Sequence, residues 1–206
     1  VIKSIHPNSY SMKSIYLTIG LLLGFFVVSA QEVPDASLLN LSAPDTFRVE
    51  FETTAGSFSI EARRDNGPAG VDRLYQLVQS GFFRDIAIFR VQPDYVVQFG
   101  ISDNAEINAF WEGHPLPDEP VKVSNLEGTV AYAREGKESR TTQLFINYRD
   151  NFKLDTVAFN GLRGFPPIAQ VVEGMEVLRS FYSCYGFEPA EKQDSVYKRG
   201  NIYLKE

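Results

Sequence analysis

The sequence predicts an all-β, mainly antiparallel fold: a closed eight-stranded barrel with two α-helices capping its open ends. Three observations carry that expectation. Two runs of alternating apolar and polar residues flank a glycine-containing turn early in the chain. Short β-like runs then recur at 86–91, 95–99, 128–133, 142–148, 168–172 and 200–204. Only two stretches carry helical periodicity.

Taken in order, the chain opens on a segment that reads as a leader. Residues 1–11 precede the first methionine and look like upstream sequence. After Met12 and Lys13 comes an apolar run from Ile15 to Val28, closing on the small residues Ser29 and Ala30. A basic start, a short apolar stretch and a small-residue exit form a secretory signal peptide, with cleavage expected after Ala30. The run is short for a membrane span of about 20 residues, so no stable membrane insertion is expected after cleavage. Residues 31–45 carry Pro, Ser and Asp without a period and read as a linker. The domain is then expected over 46–206.

Within it, Phe47, Val49 and Phe51 alternate with Arg48, Glu50 and Glu52, and Phe58 and Ile60 alternate with Ser57, Ser59 and Glu61. With Gly56 between them, the two runs predict a β-hairpin. Pro68 opens a helix that sets Val71, Leu74, Leu77 and Val78 on one face, and Gly81 stops it. Glu173-Gly174 introduces the second helix, Met175 to Tyr182. Cys184 lies among Phe181, Tyr182 and Tyr185, where a buried structural thiol is expected. As the only cysteine it forms no internal disulfide, which leaves the core to supply stability.

Composition and charge exclude several classes. At 206 residues, 44% hydrophobic and 22% charged, the chain is an ordinary folded protein. Its formal charge of −6 becomes −8 once Lys3 and Lys13 leave with the leader, which gives nucleic acid no electrostatic attraction. His114 is the only histidine after the leader, and no nucleophile elbow or Gly-rich phosphate loop occurs. One histidine and one cysteine make a zinc site a poor fit. Neither metal nor cofactor is implied. Asp118 and Glu119, in a Pro-flanked loop, read as a solvated face.

The densest signal is IAIFRVQPDYVVQFG at 86–100. Pro93-Asp94 supplies a turn, and pairing about it sets opposite each other residues whose numbers sum to about 188, so Arg90 faces Gln98. From this segment alone, a guanidinium snorkelling off the barrel surface is an equal reading.

A second segment, SRTTQLFINYRDN at 139–151 followed by Leu154-Asp155, decides between them. Together the two resemble the cyclophilin family of peptidyl-prolyl cis-trans isomerases. VEFETTAGSFSIE resembles that family's first hairpin, SGFFRDIAIFRV its active strand, and PPIAQVVEGMEVL its closing strand and helix. INYRDN, SRTTQ and GNIYLKE look like exported bacterial members, in which further residues usually follow the last motif, so truncation at Glu206 is expected.

The resemblance implies roles residue by residue. Arg90 matches the catalytic arginine, and Gln98 the group that hydrogen-bonds the substrate backbone. Phe145 matches the floor of the proline pocket and Leu154 the pocket leucine. Tyr95 stands for a customary Phe and Val96 for a Met. Ala133, before Arg134, falls where backbone carbonyls line the peptide groove, and Arg134 and Gln143 complete the expected substrate-binding set. There are departures. Leu144 takes the place of a pocket Phe, Lys153 precedes Leu154 where many members carry Trp, and Phe165 occupies the position of a pocket His. The missing Trp implies weak cyclosporin binding.

Two functions remain open at this point. One is a monomeric, exported isomerase acting on proline-containing polypeptides. The other is a non-catalytic proline-peptide binding module on the same fold, suggested by the substitutions around the groove.

Overall fold

The structure, a computed structural model, describes residues 32–205. The expected leader, the cleavage after Ala30 and the end at Glu206 lie outside the described residues. Within the expected linker, Ala36–Asn40 form a 3-10 turn whose entry is capped by the Asp35 carboxylate, accepting from the Ser37 N–H at 2.7 Å.

The alternating runs become β1 (Thr46–Thr53) and β2 (Gly56–Arg63), paired antiparallel with Thr53 opposite Gly56. Gly56 takes φ +128, a conformation closed to most side chains, so the tight turn needs it. Phe51 and Phe58 stack across the hairpin with ring centroids 4.9 Å apart. Helix α1 (Pro68–Gln79) buries Val71 and Leu74 completely in the main core against the sheet, and Leu77 in a second cluster with Phe82. The chain continues through β3 (Ile88–Gln92), β4 (Val96–Phe99), α2 (Ala105–Glu112), β5 (Thr129–Tyr132) and β6 (Leu144–Asn147). It ends in α3 (Lys153–Thr156), the β7–β8 hairpin (Ala158–Phe159, Leu162–Arg163), β9 (Pro167–Glu173), α4 (Met175–Arg179), α5 (Glu188–Glu191), α6 (Gln193–Arg199) and a 3-10 turn over Gly200–Lys205.

Among the described residues, seven strands form one antiparallel sheet in the order β1-β2-β9-β5-β6-β4-β3, with β7 and β8 apart. The expected closed eight-stranded barrel is therefore corrected to an open half-barrel: the edge strands β1 and β3 do not pair with each other. The run that would have supplied an eighth strand, 200–204, is the 3-10 turn instead. It is tied elsewhere. The Asn201 backbone N–H donates to the Asp103 carboxylate at 2.5 Å and its side chain to the Asp85 carbonyl at 2.6 Å. Tyr203 and Leu204 pack with Val196 against Phe89 and Ile101, at the β3 end of the sheet and not along β1.

The helix count is corrected too. The second expected helix stops at Arg179, and α2, α3, α5 and α6 were not foreseen. For α2 the signals were present: Asn104 accepts from the Glu106 N–H as N-cap at 2.8 Å, and Ile107 and Trp111, four apart, pack on Leu77 and Phe82. The other three are only four to seven residues long, too short for periodicity to register.

Two local expectations fail. Glu119 is no solvated face. Its carboxylate accepts from the Ala69 and Gly70 N–H groups at 2.8 and 3.1 Å, capping α1 where Gly67 offers no side chain, and pairs with the buried Arg140 at 3.1 Å. Asp118 bonds Arg134 and the Glu138 N–H. Cys184 is exposed, because it falls in the turn after α4, where Tyr182 and Tyr185 pack on each other and leave the thiol to solvent.

Candidate functional site

The register across four neighbouring strands builds the site. Arg90 of β3 faces Gln98 of β4, Gln98 faces Phe145 of β6, and Phe145 faces Ala131 of β5. Because side chains alternate along a strand, this row shares one face, while Val97, Phe99, Leu144 and Ile146 point into the main core on the other. Two sequence features set the row. The Pro93-Asp94 turn returns the Tyr95 N–H to the Gln92 carbonyl at 3.1 Å, with Asp94 at φ +58, the arrangement of a type II turn. A bulge at Phe89 then shifts the register between Ile88 and Arg90. Ile88 packs on the core while Arg90, two residues on, faces out; without that extra residue both would share a face.

All ten residues singled out from the sequence line one cavity of about 690 Å³: Arg90, Tyr95, Val96, Gln98, Ala133, Arg134, Gln143, Phe145, Leu154 and Phe165. Its apolar part is a slot of Val96, Phe145 and Leu154, backed by the buried Ala131 and edged by Tyr95, Ala133 and Phe165. Phe145 and Phe165 meet edge to face at 5.7 Å. The polar part begins at Arg90. Its Nη1 donates to Gln98 Oε1 at 2.8 Å and its Nη2 donates to Gln92 Oε1. Gln98 Nε2 donates onward to Gln143 Oε1 at 2.7 Å. The Arg90 Nε is buried and meets no acceptor among the described residues, so the guanidinium keeps donor capacity in reserve. Burial pulls Arg90 below the usual arginine range, Tyr95 opposing; an arginine starts so far above neutrality that it stays charged at physiological pH.

Behind the slot lies a buried amide network that holds its rim. Asn151 donates to the Tyr95 carbonyl at 3.0 Å and to Asn147 Oδ1 at 2.7 Å. Asn147 donates to Asn125 Oδ1 at 3.1 Å, and Asn125 donates to the Phe165 carbonyl at 2.9 Å and to Asp155 at 2.8 Å. Burial works against ionisation of Asp155, but the hydrogen bonds from the Asn125 side chain and backbone outweigh it and hold the carboxyl below its usual range. The INYRDN and Leu-Asp stretches thus position Tyr95, Leu154 and Phe165.

Residue matching left three side-chain placements open. Leu144 is fully buried in the main core, since Phe145 takes the groove face and neighbouring strand residues cannot share it. Arg134 has a side chain only 2% exposed; it donates to the Gly164 carbonyl and to Asp118, and its guanidinium lies 5.2 Å over the Phe165 ring. Lys153 is exposed at the start of α3.

The sequence reading missed the wall opposite the slot. Phe187, just before α5, and Gln193 and Tyr197 of α6 line the same cavity. Phe187 sits 5.2 Å from the Arg90 guanidinium. Nothing in the sequence ties them to Arg90, roughly a hundred residues away; only the fold joins them.

Comparison with known proteins agrees with this geometry. A family model described as cyclophilin type peptidyl-prolyl cis-trans isomerase/CLD matches residues 48–202. The chain is similar to peptidyl-prolyl cis-trans isomerase A of Dickeya dadantii, 32% identical over 140 residues, covering 66% of this chain and 71% of that protein. It is 27% identical over 132 residues to peptidyl-prolyl cis-trans isomerase-like 2 of Neurospora crassa, covering 62% of this chain but only 21% of that longer protein. Among solved structures it resembles the Cryptosporidium parvum cyclophilin type peptidyl-prolyl cis-trans isomerase crystallised in the presence of the dipeptide Ala-Pro. That likeness has a TM-score of 0.52 at 17% identity, covering 65% of this chain and 84% of the other; at that identity it speaks for the fold.

Proposed function

The chain belongs to the cyclophilin type peptidyl-prolyl cis-trans isomerase family and is an isomerase of X–Pro peptide bonds; we propose that Arg90 drives its turnover. The observation that carries this role is the Arg90–Gln98–Phe145 row, which sets a donor-rich cation beside an apolar slot.

Rotation about an X–Pro bond faces a barrier of roughly 18–20 kcal/mol from amide resonance. Acceleration by about 10⁵ needs ~7 kcal/mol of preferential transition-state binding. No covalent bond is made or broken, so no nucleophile is called for. In the twisted amide the prolyl nitrogen turns pyramidal and recovers its lone pair. Arg90, already fixed by Gln92 and Gln98, donates to that nitrogen and so binds the twisted form better than the planar one. Tyr95, Val96, Phe145, Leu154 and Phe165 grip the pyrrolidine ring, so that one side of the bond turns while the other is held. Gln98 and Gln143, with the backbone at Ala133, hold the flanking peptide, and Arg134 steadies the Phe165 ring.

A protease-coupled or NMR exchange assay on an Ala-Pro tetrapeptide tests the reading. Catalysed exchange is expected; binding without rate enhancement would reduce the protein to a peptide-binding module.

The apolar run ending at Ala30 supports a further part of this reading: the protein resembles exported bacterial members, is released into the periplasm or secreted, and acts on exported clients. N-terminal sequencing of the protein from a periplasmic or extracellular fraction is expected to begin at Gln31. The cavity is complete within one chain, which supports a working monomer.

A further inference from the structure

Arg90 is reached by a chain of side-chain amides that does not end inside the sheet. Gln143 Nε2 donates both its hydrogens to α6, one to Gln193 Oε1 at 2.8 Å and one to the Tyr197 hydroxyl at 2.9 Å. We infer that Gln193 and Tyr197 are positioning residues for the isomerase reaction, fixing the direction of the amide chain that presents Arg90. The inference rests on the isomerase reading above.

The direction follows from donor and acceptor counts. A guanidinium has five N–H donors and no acceptor. Gln98 must therefore turn its oxygen to Arg90, as it does at 2.8 Å, which leaves its NH₂ facing Gln143. Gln143 must answer with its oxygen, at 2.7 Å, which turns its own NH₂ away from the sheet. That NH₂ then needs two acceptors, and α6 supplies two. Gln193 and Tyr197 stand four apart on the helix, so they share one face. Val196, between them, is buried with Phe89 and Ile101 and holds the helix down, and Asn108 donates to the Tyr197 carbonyl at 3.3 Å.

Without those acceptors the Gln143 amide is held from the sheet side alone, by the Gln98 NH₂, and its own NH₂ is left without its partners on α6. Turned over, it meets Gln98 donor to donor; Gln98, only 3% exposed, must turn as well, and then sets its NH₂ against the NH groups of Arg90. The cation is pushed from its place although no residue touching the substrate has changed. The apolar slot of Phe145 and Leu154 is unaffected, so most of the loss falls on kcat, and KM rises only as far as Gln98 and Gln143 slacken their hold on the flanking peptide.

The test uses the full chain and an Ala-Pro tetrapeptide, with kcat and KM separated by NMR exchange. Gln193→Leu with Tyr197→Phe is expected to lower kcat about five- to tenfold with KM held within about twofold. Gln193→Glu with Tyr197→Phe, which keeps an acceptor at 193, is expected to recover most of that loss. A second readout is independent of turnover: the ¹⁵N–¹H signals of the Gln143 side-chain amide and the Arg90 Nε–H move together in the first double variant. Should that variant unfold, Tyr197→Phe alone carries the test, since it removes one oxygen and keeps the packed ring; both sets of signals are still expected to move. Inactive wild type would remove the isomerase reading and this role with it. Active wild type, with unchanged kcat and unmoved signals in the folded variants, would overturn this role alone.

Discussion

Replacing Arg90 by Ala is the most direct perturbation of the site, and its size can be worked from the structure. The side chain is partly buried, held by Gln92 and Gln98, and carries a buried Nε–H that meets no acceptor among the described residues. A charged donor aimed at the prolyl nitrogen in a partly water-excluded groove is worth roughly 2–3 kcal/mol to the transition state. With each 1.36 kcal/mol equal to tenfold, kcat/KM on an Ala-Pro peptide is expected to fall about 30- to 160-fold. The planar substrate loses little, because the slot of Val96, Phe145 and Leu154 is untouched, so the decline appears in kcat. Stability falls too, by about 1–3 kcal/mol, as the buried Gln98 oxygen loses its donor. Circular dichroism at the assay temperature separates the two effects, and Arg90→Lys refines the result: one ammonium keeps the charge but cannot span both glutamines, so intermediate turnover is expected. A folded Arg90→Ala variant retaining more than a tenth of wild-type kcat/KM would refute the role given to the guanidinium.

The remaining predictions concern stability and inhibition. Glu119→Ala removes the cap of α1 and strips the fully buried Arg140 of its carboxylate, at a cost of roughly 3 kcal/mol. That is expected to lower Tm by about 6–12 °C in thermal melts. The Arg64 guanidinium holds the Asp72 carboxyl below its usual range, and the Asn125 hydrogen bonds, against the burial penalty, do the same for Asp155. Groups with depressed folded values stabilise above the unfolded value of about 3.9 and lose that contribution as pH falls through the folded one, so urea midpoints should hold from about pH 7 to 5 and drop below about pH 4. Midpoints that rise in that acid range would contradict both assignments. Lys153, exposed where many cyclophilins carry Trp, predicts weak cyclosporin inhibition; a low-nanomolar inhibition constant would contradict it.

Local pattern and chemistry were legible without coordinates. Alternation at Phe47–Phe51 and Phe58–Ile60, a Pro-Asp turn, and Pro68 and Gly81 at the ends of α1 act over a few residues, and each appears where periodicity and turn chemistry require it. The opposition of Arg90 and Gln98 followed from one turn and the fixed pairing of an antiparallel ladder. The same local logic failed where long-range partners decide. Whether 200–204 becomes a strand depends on Asp103 and Asp85, which tie that segment to distant loops, and so the barrel stays open. Glu119 looked solvated until α1 arrived with unpaired N–H groups and Arg140 with a buried charge. The far wall of the groove, where Gln193 and Tyr197 meet the Gln143 amide, joins residues some fifty positions apart through hydrogen bonds and the packing of Val196 on Phe89 and Ile101. By itself the sequence determined which side chains alternate, turn and cap, because those choices are made against nearest neighbours. Strand order, sheet closure and the partners of buried polar groups were decided only by tertiary structure, because those energies exist only once distant segments exclude water together.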